Sequence, residues 1–469
     1  MNRSVRAIAL GSVLALTATA CLGSDPQEEQ DTARNADATE VTLTIAANAV
    51  SGGKNAEEAD WIENYVIPTF VEQQAEDGVE VTIEFQSSGV DDEEYKSRIA
   101  LDLRTGSGAD IVSIDGIWVG EFAEAGYIAP LTDVVGGDLV DEWEGWEQIN
   151  EAVQANMSFN DERYGVPAGS DGRVLFFNKA LFAQAGLPED WQPTSWAEVL
   201  EAGRALQAIA GVTPIQLNAG TAMGEATTMQ GALPLLVGTG AEIYADEMWQ
   251  GNTQNIRDVL GLYQEIYSTG LGDPTLQQEA QGRDKSFAEF AAGQIGILME
   301  GDYFWRSVIE PTAGVAPMPT RDQDVGYAMV PAMEPGSGIN GQDFVSMSGG
   351  GGRVLNPATE FPQQAWELLA FMNSAEAVTE LVGDGARLTQ REDVNSEILA
   401  NDPLLSFIAE EVVPLSAYRP GLAVYPEVSL TLQQATLDVV TGMSPEDAAA
   451  AYQSALEQVL GGADDIASD

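Results

Sequence analysis

The side chains that could do acid–base, nucleophilic or metal chemistry are few in kind. The 469 residues hold no histidine, one cysteine (Cys21), and 74 Asp+Glu against 20 Lys+Arg, for a formal net charge of −54. Without histidine there is no Ser-His-Asp triad, no imidazole base and no His-ligated zinc. A single cysteine excludes an internal disulfide, a CxxC redox pair and a cysteine zinc site. What remains is carboxylate chemistry. A glycoside hydrolase would need two carboxyl groups about 5–5.5 or 6.5–9.5 Å apart. Acid pairs are so abundant here that their presence carries no weight, and no acid stands isolated in an apolar run. No D-x-D-x-D-G calcium register with a distal glutamate occurs, so neither a metal nor a cofactor is expected. A binding role fits better than catalysis. Asp115 and Trp118 are candidates by position, because they sit in the turn after a strand's carboxyl end, where open α/β sheets hold ligands.

The elements that would position them follow from periodicity. Val41-Thr-Leu-Thr-Ile45 alternates as a strand, and residues 56–74 read as a helix with Trp61, Tyr65, Phe70 and Val71 near one face and Pro68 as a kink. Val79–Phe85 and Asp110–Ile114 read as strands, and 92–104 and 118–125 as helices. Arg173–Phe177 and Gln294–Met299 are apolar strands. Ser195 and Glu198 form a capping box for a helix to about Ile209, and Ser444 caps the last helix, which ends at Leu460. Strand–helix alternation predicts an α/β protein with a largely parallel sheet. Trp143 and Trp146, set among acids, are expected at an exposed edge.

The N-terminus reads as an address. Arg3 and Arg6 precede a run from Ala7 to Ala20, shorter than the roughly 20 residues that cross a bilayer and matching a signal-peptide core. Ala18-Thr-Ala-Cys21 resembles a lipobox, with Ala18 where leucine is commonest, and the same residues also read as an ordinary A-x-A cleavage site. The only cysteine lies at that position, which favours lipidation of Cys21. Residues 22–40 read as a disordered acidic tether, spanning about 25 Å if flexible. A body this anionic repels itself except at high ionic strength, where at about 1 M salt the Debye length is roughly 3 Å. A salt-rich medium is therefore expected, and the charge argues against nucleic acid and anionic lipid heads as partners.

Four segments, in order, carry a family likeness. They are Asp110–Trp118 with Gly120–Ile128, Tyr164–Pro167 with Leu175-Phe-Phe-Asn-Lys179 and Leu181–Leu187, Phe290–Met299 with Gly301–Trp305, and Tyr418-Arg-Pro420 with Tyr425-Pro-Glu-Val428. Behind a lipobox, this order resembles the extracellular solute-binding proteins of carbohydrate ABC importers, the maltose-binding-protein-like group, over nearly all of residues 41–460. The resemblance implies a two-lobed periplasmic-binding-protein-like fold (type II), with a ligand cleft between lobes joined by hinge crossovers. It implies a signal peptide at 1–20, a lipidated tether at 21–40, lobe 1 at 41–168 plus 351–390, lobe 2 at 172–345 plus 391–462, and a frayed tail at 463–469. Crossings are expected near 168–172, 344–350 and 381–391. The implied partners are a small-molecule carbohydrate and ABC permease subunits, with membrane contact through the lipid anchor only, no nucleic acid and a monomeric state. A peptide, polyol or polyamine ligand is the alternative, and a surface glycoside hydrolase the more distant one.

Sugars are read by aromatic rings lying on pyranose C–H faces and by planar polar groups on hydroxyls. On the resemblance, Asp171 beside the first crossing binds hydroxyls, and Tyr303, with Trp305 and Asp302, comes from the segment that lays an aromatic over the sugar. Arg173, Gln230, Arg419, Tyr425 and Trp61 complete the candidate set, and Gly350 and Gly351 would let the backbone approach the ligand. Each has a plainer reading: a core aromatic for Trp61, Trp118 and Trp305, a salt bridge for Arg173 and Arg419, a solvated carboxylate for Asp171 and an exposed loop for the glycine run.

Overall fold

In the first strand, β1 (Glu40–Ala47), Val41, Leu43 and Ile45 are buried while Glu40 and Thr42 face solvent, the alternation that a strand covered on one side requires. The computed structural model describes residues 31–469 apart from Asp384. The expected signal peptide, Cys21 and most of the tether lie outside the described residues. The tether's last residues pack onto the body: the Gln364 side-chain amide donates to the carbonyls of Asn35 and Ala36, at 3.0 and 3.1 Å. Disorder was expected there because the segment is polar. Its backbone carbonyls supply the contact, which composition does not report.

Two mixed sheets organise the chain. The strands after β1 are β2 (Glu80–Ser87), β3 (Ile111–Asp115), β4 (Gly165–Pro167), β5 (Arg173–Asn178), β6 (Thr213–Gln216), β7 (Ile295–Gly301), β8 (Val325–Pro331), β9 (Phe344–Met347), β10 (Gly351–Leu355) and β11 (Ser416–Ala417). The first sheet runs β2-β1-β3-β10-β4 and the second β11-β9-β8-β5-β7-β6. Pairing among β1, β2 and β3 is parallel, as the strand–helix alternation demands. The expectation of a largely parallel sheet fails at the strands that arrive from the other lobe. Gly351, the first residue of β10, pairs with Asp115, the last of β3, and Arg173, the first of β5, pairs with Gly301, the last of β7. A strand entering at its neighbour's carboxyl end must run antiparallel to it.

Helix boundaries follow local chemistry. Ser195 accepts from the Glu198 amide and Ser444 from the Asp447 amide, and the last helix ends at Leu460 before Gly461 at φ 76°. The helix starting at Ala56 changes to a π-turn over Ile62–Val66 before continuing over Ile67–Glu76. Pro68 lacks the N–H that an uninterrupted α-ladder would use, and the wider turn absorbs the mismatch.

Three expectations are corrected. Trp146 is buried, packs edge-on to Trp143 at 4.9 Å and donates its indole N–H to the Val140 carbonyl at 2.8 Å, while Trp143 meets Trp366 at 5.7 Å. The pair is core, because the surrounding acids point outward from short helical turns. The tail does not fray: Ile466–Ala467 pairs with Trp249–Gln250, and Ile466 is buried beside Trp249 in the second lobe's apolar cluster. The stretch from Arg391 to Leu415 does not pack on the second lobe alone. Arg391 donates to the Asn373 carbonyl, Leu404, Leu405 and Ile408 join an apolar cluster that holds residues of both β1 and β5, and Asp402 accepts from the Trp305 indole.

Candidate functional site

The carboxyl end of β3 and the inter-sheet segments meet at one place. A cleft of about 930 Å³ opens there, lined by Asp115, Ile117 and Trp118 from the first sheet's edge, residues 168–171 from the first crossing, residues 349–352 from the second, and Leu388 from the third. Open α/β sheets place ligands in this position. Gly350 turns the second crossing at φ 115°, in the region that favours glycine, and its carbonyl accepts from the Gly116 amide and the Asn156 side chain, at 3.0 and 2.9 Å. At Gly351 a side chain would run into the Ile114 carbonyl.

Asp171 ties the first crossing to the second. Its Oδ1 accepts from Arg173 Nη1 at 2.6 Å, the Gly349 amide at 2.7 Å and Ser348 Oγ at 3.0 Å. Oδ2 makes no hydrogen bond among the described residues. Burial pushes this carboxyl up, but the Arg173 charge and the Gly349 N–H prevail and hold it below its ordinary value. Arg173 is buried, also donates to the Met347 carbonyl at 3.0 Å, and keeps a buried Nε without a partner. Asp302 is buried with Oδ2 on Arg306 Nε at 2.8 Å and Oδ1 unpartnered, and its pKa is raised by burial and then by the Asp171 charge. Asp115 caps the turn before Trp118 by accepting from the Ile117 amide at 3.1 Å, and burial raises its carboxyl against the opposing pull of Arg419.

The structure thus brings Asp115, Trp118, Asp171, Gly350 and Gly351 together as cleft lining, with Arg173 and Asp302 directly behind. Trp118 shows only an edge, being 7% exposed and tilted against Tyr95 and Phe122 at 6.4 and 6.3 Å. Arg419 reaches the rim: a side chain at Gly349 would come within 3.8 Å of its Nη2, and Nη1 lies 3.4 Å from Glu225. Four candidates are buried away from the lining. Trp61 is core, its indole on the Ala377 carbonyl at 2.9 Å. Trp305 is buried under Arg321, whose guanidinium stacks at 3.8 Å. Tyr425 is buried and bonded to Glu225 at 3.2 Å, and Gln230 is buried in a π-turn with Oε1 unpartnered. Their helical setting turns them into the lobes. Tyr303 is 42% exposed beside Arg306, outside the lining.

Sequence reasoning singled out Arg173 and Arg419 but missed three other arginines. Arg306, Arg353 and Arg387 line the cleft, and so do Glu57 and Glu58. Arg353 is buried, stacked 5.1 Å from Trp61, and bonded to Glu58 at 2.7 Å. Arg387 lies 3.5 Å from Glu57. The available signal was scarcity: in a chain with 20 basic residues, arginines at 173, 353 and 387 fall beside the three crossings. Among the described residues no cluster of acidic, histidine or cysteine side chains is arranged to hold a metal.

Comparison with known proteins matches this architecture. The profile of the bacterial extracellular solute-binding protein family matches residues 55–379. A binding protein of Brucella abortus (strain 2308) is 21% identical over 419 residues, 89% of this chain and 92% of that one. An ABC transporter solute-binding protein of Thermotoga lettingae, solved with α-D-tagatose, shares 24% identity at a TM-score of 0.62, covering 90% of this chain and 100% of that one. The cyclic α-maltosyl-1,6-maltose binding protein of Arthrobacter globiformis shares 21% identity at a TM-score of 0.69, covering 90% and 99%. These likenesses establish the α/β periplasmic-binding-protein-like fold.

Proposed function

Because the chain belongs to the bacterial extracellular solute-binding proteins, and so binds rather than transforms its ligand, we propose that it captures a sugar or oligosaccharide in the cleft between its sheets and delivers it to the permease of an ABC importer. Lobe 1 is residues 41–168 plus 351–390, lobe 2 is 172–345 plus 416–462, and 391–415 bridges them. The ligand contacts both lobes and shifts the population toward a closed form. Cys21, once lipidated, anchors the body outside the membrane, and an acidic surface of this kind suits a salt-rich medium.

The observation that carries this reading is the cleft itself: about 930 Å³, lined by the first lobe, by all three inter-lobe segments and, from the second lobe, by Arg306, with buried polar groups in its wall. Asp115, Asp171 and Arg419 would bond hydroxyls. The ligands in the names of the Thermotoga and Arthrobacter proteins, a ketose and a cyclic glucan, point the same way. A polyol is the second reading, favoured by the scarcity of free ring faces, since Trp118 and Tyr95 are both almost wholly buried.

A melting-temperature screen tests it, with mono- and oligosaccharides, polyols and peptides in high salt. A ligand at about 100 times its Kd stabilises the folded form by about 2.7 kcal/mol, so a clear rise with one sugar class is expected. A flat response to every sugar from a folded sample would remove the carbohydrate assignment.

A further inference from the structure

Basic side chains are scarce in this protein, yet Arg306, Arg353 and Arg387 all line one cleft. They come from three places. Arg306 lies in the π-turn Phe304–Val308 after β7, Arg353 on β10, and Arg387 on the third crossing. Their bonds leave much of their donor capacity unused. Among the described residues Arg387 makes one hydrogen bond, Nη1 to Glu57 at 3.5 Å, and that carboxylate is 82% exposed. Arg306 engages Asp302 through Nε alone, at 2.8 Å, and its two terminal nitrogens make no bond among the described residues. Arg353 is fixed by Trp61 and Glu58 and keeps a buried Nε without a partner. An exposed pair at 3.5 Å is worth little and does not account for an arginine held at the cleft wall.

We propose, on the reading that the cleft binds a saccharide, that this saccharide is acidic and that its carboxylate sits between the open guanidinium forks of Arg306 and Arg387. The planar fork matches a carboxylate bidentately. Arg306 belongs to one lobe, whereas Arg353 belongs to the other, so closing the cleft gathers like charges. Burial and the Arg306 and Arg353 charges already depress Arg387, against the opposing pull of Glu57. A bound anion turns that repulsion into attraction and makes closure depend on the ligand's charge. A carboxylate fits better than a phosphate ester, because Glu57 and Glu58 line the same wall and repel a dianion more than a monoanion. The remaining hydroxyls would face Asp115 and the unengaged Oδ2 of Asp171.

Isothermal titration of the full chain with matched pairs tests this. The pairs are glucose and glucuronate, galactose and galacturonate, mannose and mannuronate, their disaccharides, and the 6-phosphates. The expected result is one uronate that binds about 30-fold tighter than its neutral partner, with the ratio falling by about tenfold in Arg387→Gln and in Arg306→Gln. Arg387→Lys, which keeps the charge and loses the fork, should recover only part of the ratio, and it stands in if the glutamine variant does not fold. A neutral sugar that binds as tightly as its uronate overturns the acidic assignment and leaves the sugar reading intact. Preference for the phosphate ester overturns the carboxylate. Binding of polyols or peptides alone, or of nothing in the panel, overturns both.

Discussion

Replacing Asp171 by asparagine should loosen the ligand-free protein, apart from any effect on ligand. Oδ1 of Asp171 gathers donors from two different crossings: Arg173 Nη1 at 2.6 Å, and Gly349 N and Ser348 Oγ at 2.7 and 3.0 Å. Asparagine keeps an oxygen for the two neutral donors and removes the charge opposite Arg173. The arginine side chain is 7% exposed, so its charge is left in a dry place with one carbonyl, that of Met347. Orphaning one partner of a fully buried pair costs about 3–5 kcal/mol. The Asp171 side chain is 33% exposed, so water can approach that face, and the expected loss falls to about 2–3 kcal/mol. Asp171→Ala also strands the two neutral donors and should lose about 1 kcal/mol more for each. Ser348→Ala, which removes one neutral donor, should lose about 1 kcal/mol. Urea unfolding in high salt reads these values from the midpoint at constant slope. The sign of the pH dependence is fixed by the direction of the shift. A carboxyl held below its ordinary value stabilises the fold above that value and loses the contribution as pH falls through its depressed one. The gap between wild type and Asp171→Asn should therefore be full at neutral pH and close below about pH 4. A loss under 0.5 kcal/mol at neutral pH, or a gap that widens on acidification, would refute the clip.

Three further outcomes are expected. Gly421 on the second lobe sits against the first, its carbonyl accepting from the Glu121 amide at 2.7 Å, and an added Cβ would come within 2.9 Å of the Gly120 nitrogen and 3.4 Å of the Gly116 carbonyl. Gly421→Ala should disfavour this interlobe arrangement by about 1.4 kcal/mol, changing ligand affinity about tenfold; an unchanged radius of gyration by X-ray scattering would count against this latch. Asp115 is raised by burial, so its ionised form costs stability at neutral pH and that cost vanishes as the carboxyl protonates; Asp115→Asn, which still accepts from Ile117, should raise the melting temperature at pH 7 and not at pH 3, and a lower value at pH 7 would contradict the assignment. Trp305→Ala should cost about 3–5 kcal/mol as a buried indole between Asp402 and Arg321, whereas Tyr303→Ala, at a side chain 42% exposed, should stay within about 0.5 kcal/mol; equal losses in thermal melts would break the contrast.

What was legible in the chain was whatever local pattern determines. β1 alternates, Ser195 and Ser444 cap, Gly461 ends a helix, and the turn from Asp115 to Trp118 sits at a strand's carboxyl end, so each could be read from neighbours a few residues apart. Strand direction was not legible. The antiparallel entry of β5 and β10 depends on which lobe the chain has just left, a fact about residues hundreds of positions away. Tryptophans misled for a related reason. Trp143 and Trp146 sit among acids in sequence, yet they pack edge-on to each other, and Trp143 edge-on to Trp366, because one face of a short helical turn buries while its neighbours point outward.

The candidate site divides along the same line. Asp115 was reachable because it ends a strand where open sheets hold ligands, and Asp171 and the glycine run because a crossing must place its own residues at the cleft, whatever packs around it. Trp61 was chosen by residue type, and Trp305 and Tyr425 from segments that resemble the family's, and neither ground says which side of an element faces the ligand. Arg306, Arg353 and Arg387 went unread for the opposite reason, since salt bridging is the ordinary fate of an arginine in a chain with 74 acids. Only the geometry separates those whose donors are consumed from those whose donors stay open. Arg391 has both sides of its guanidinium on Asp393. Arg387, four positions earlier, has a single long contact among the described residues. Both belong to the same crossing and carry the same charge, so the difference lies in their partners' positions, and that difference makes the cleft wall selective for charge.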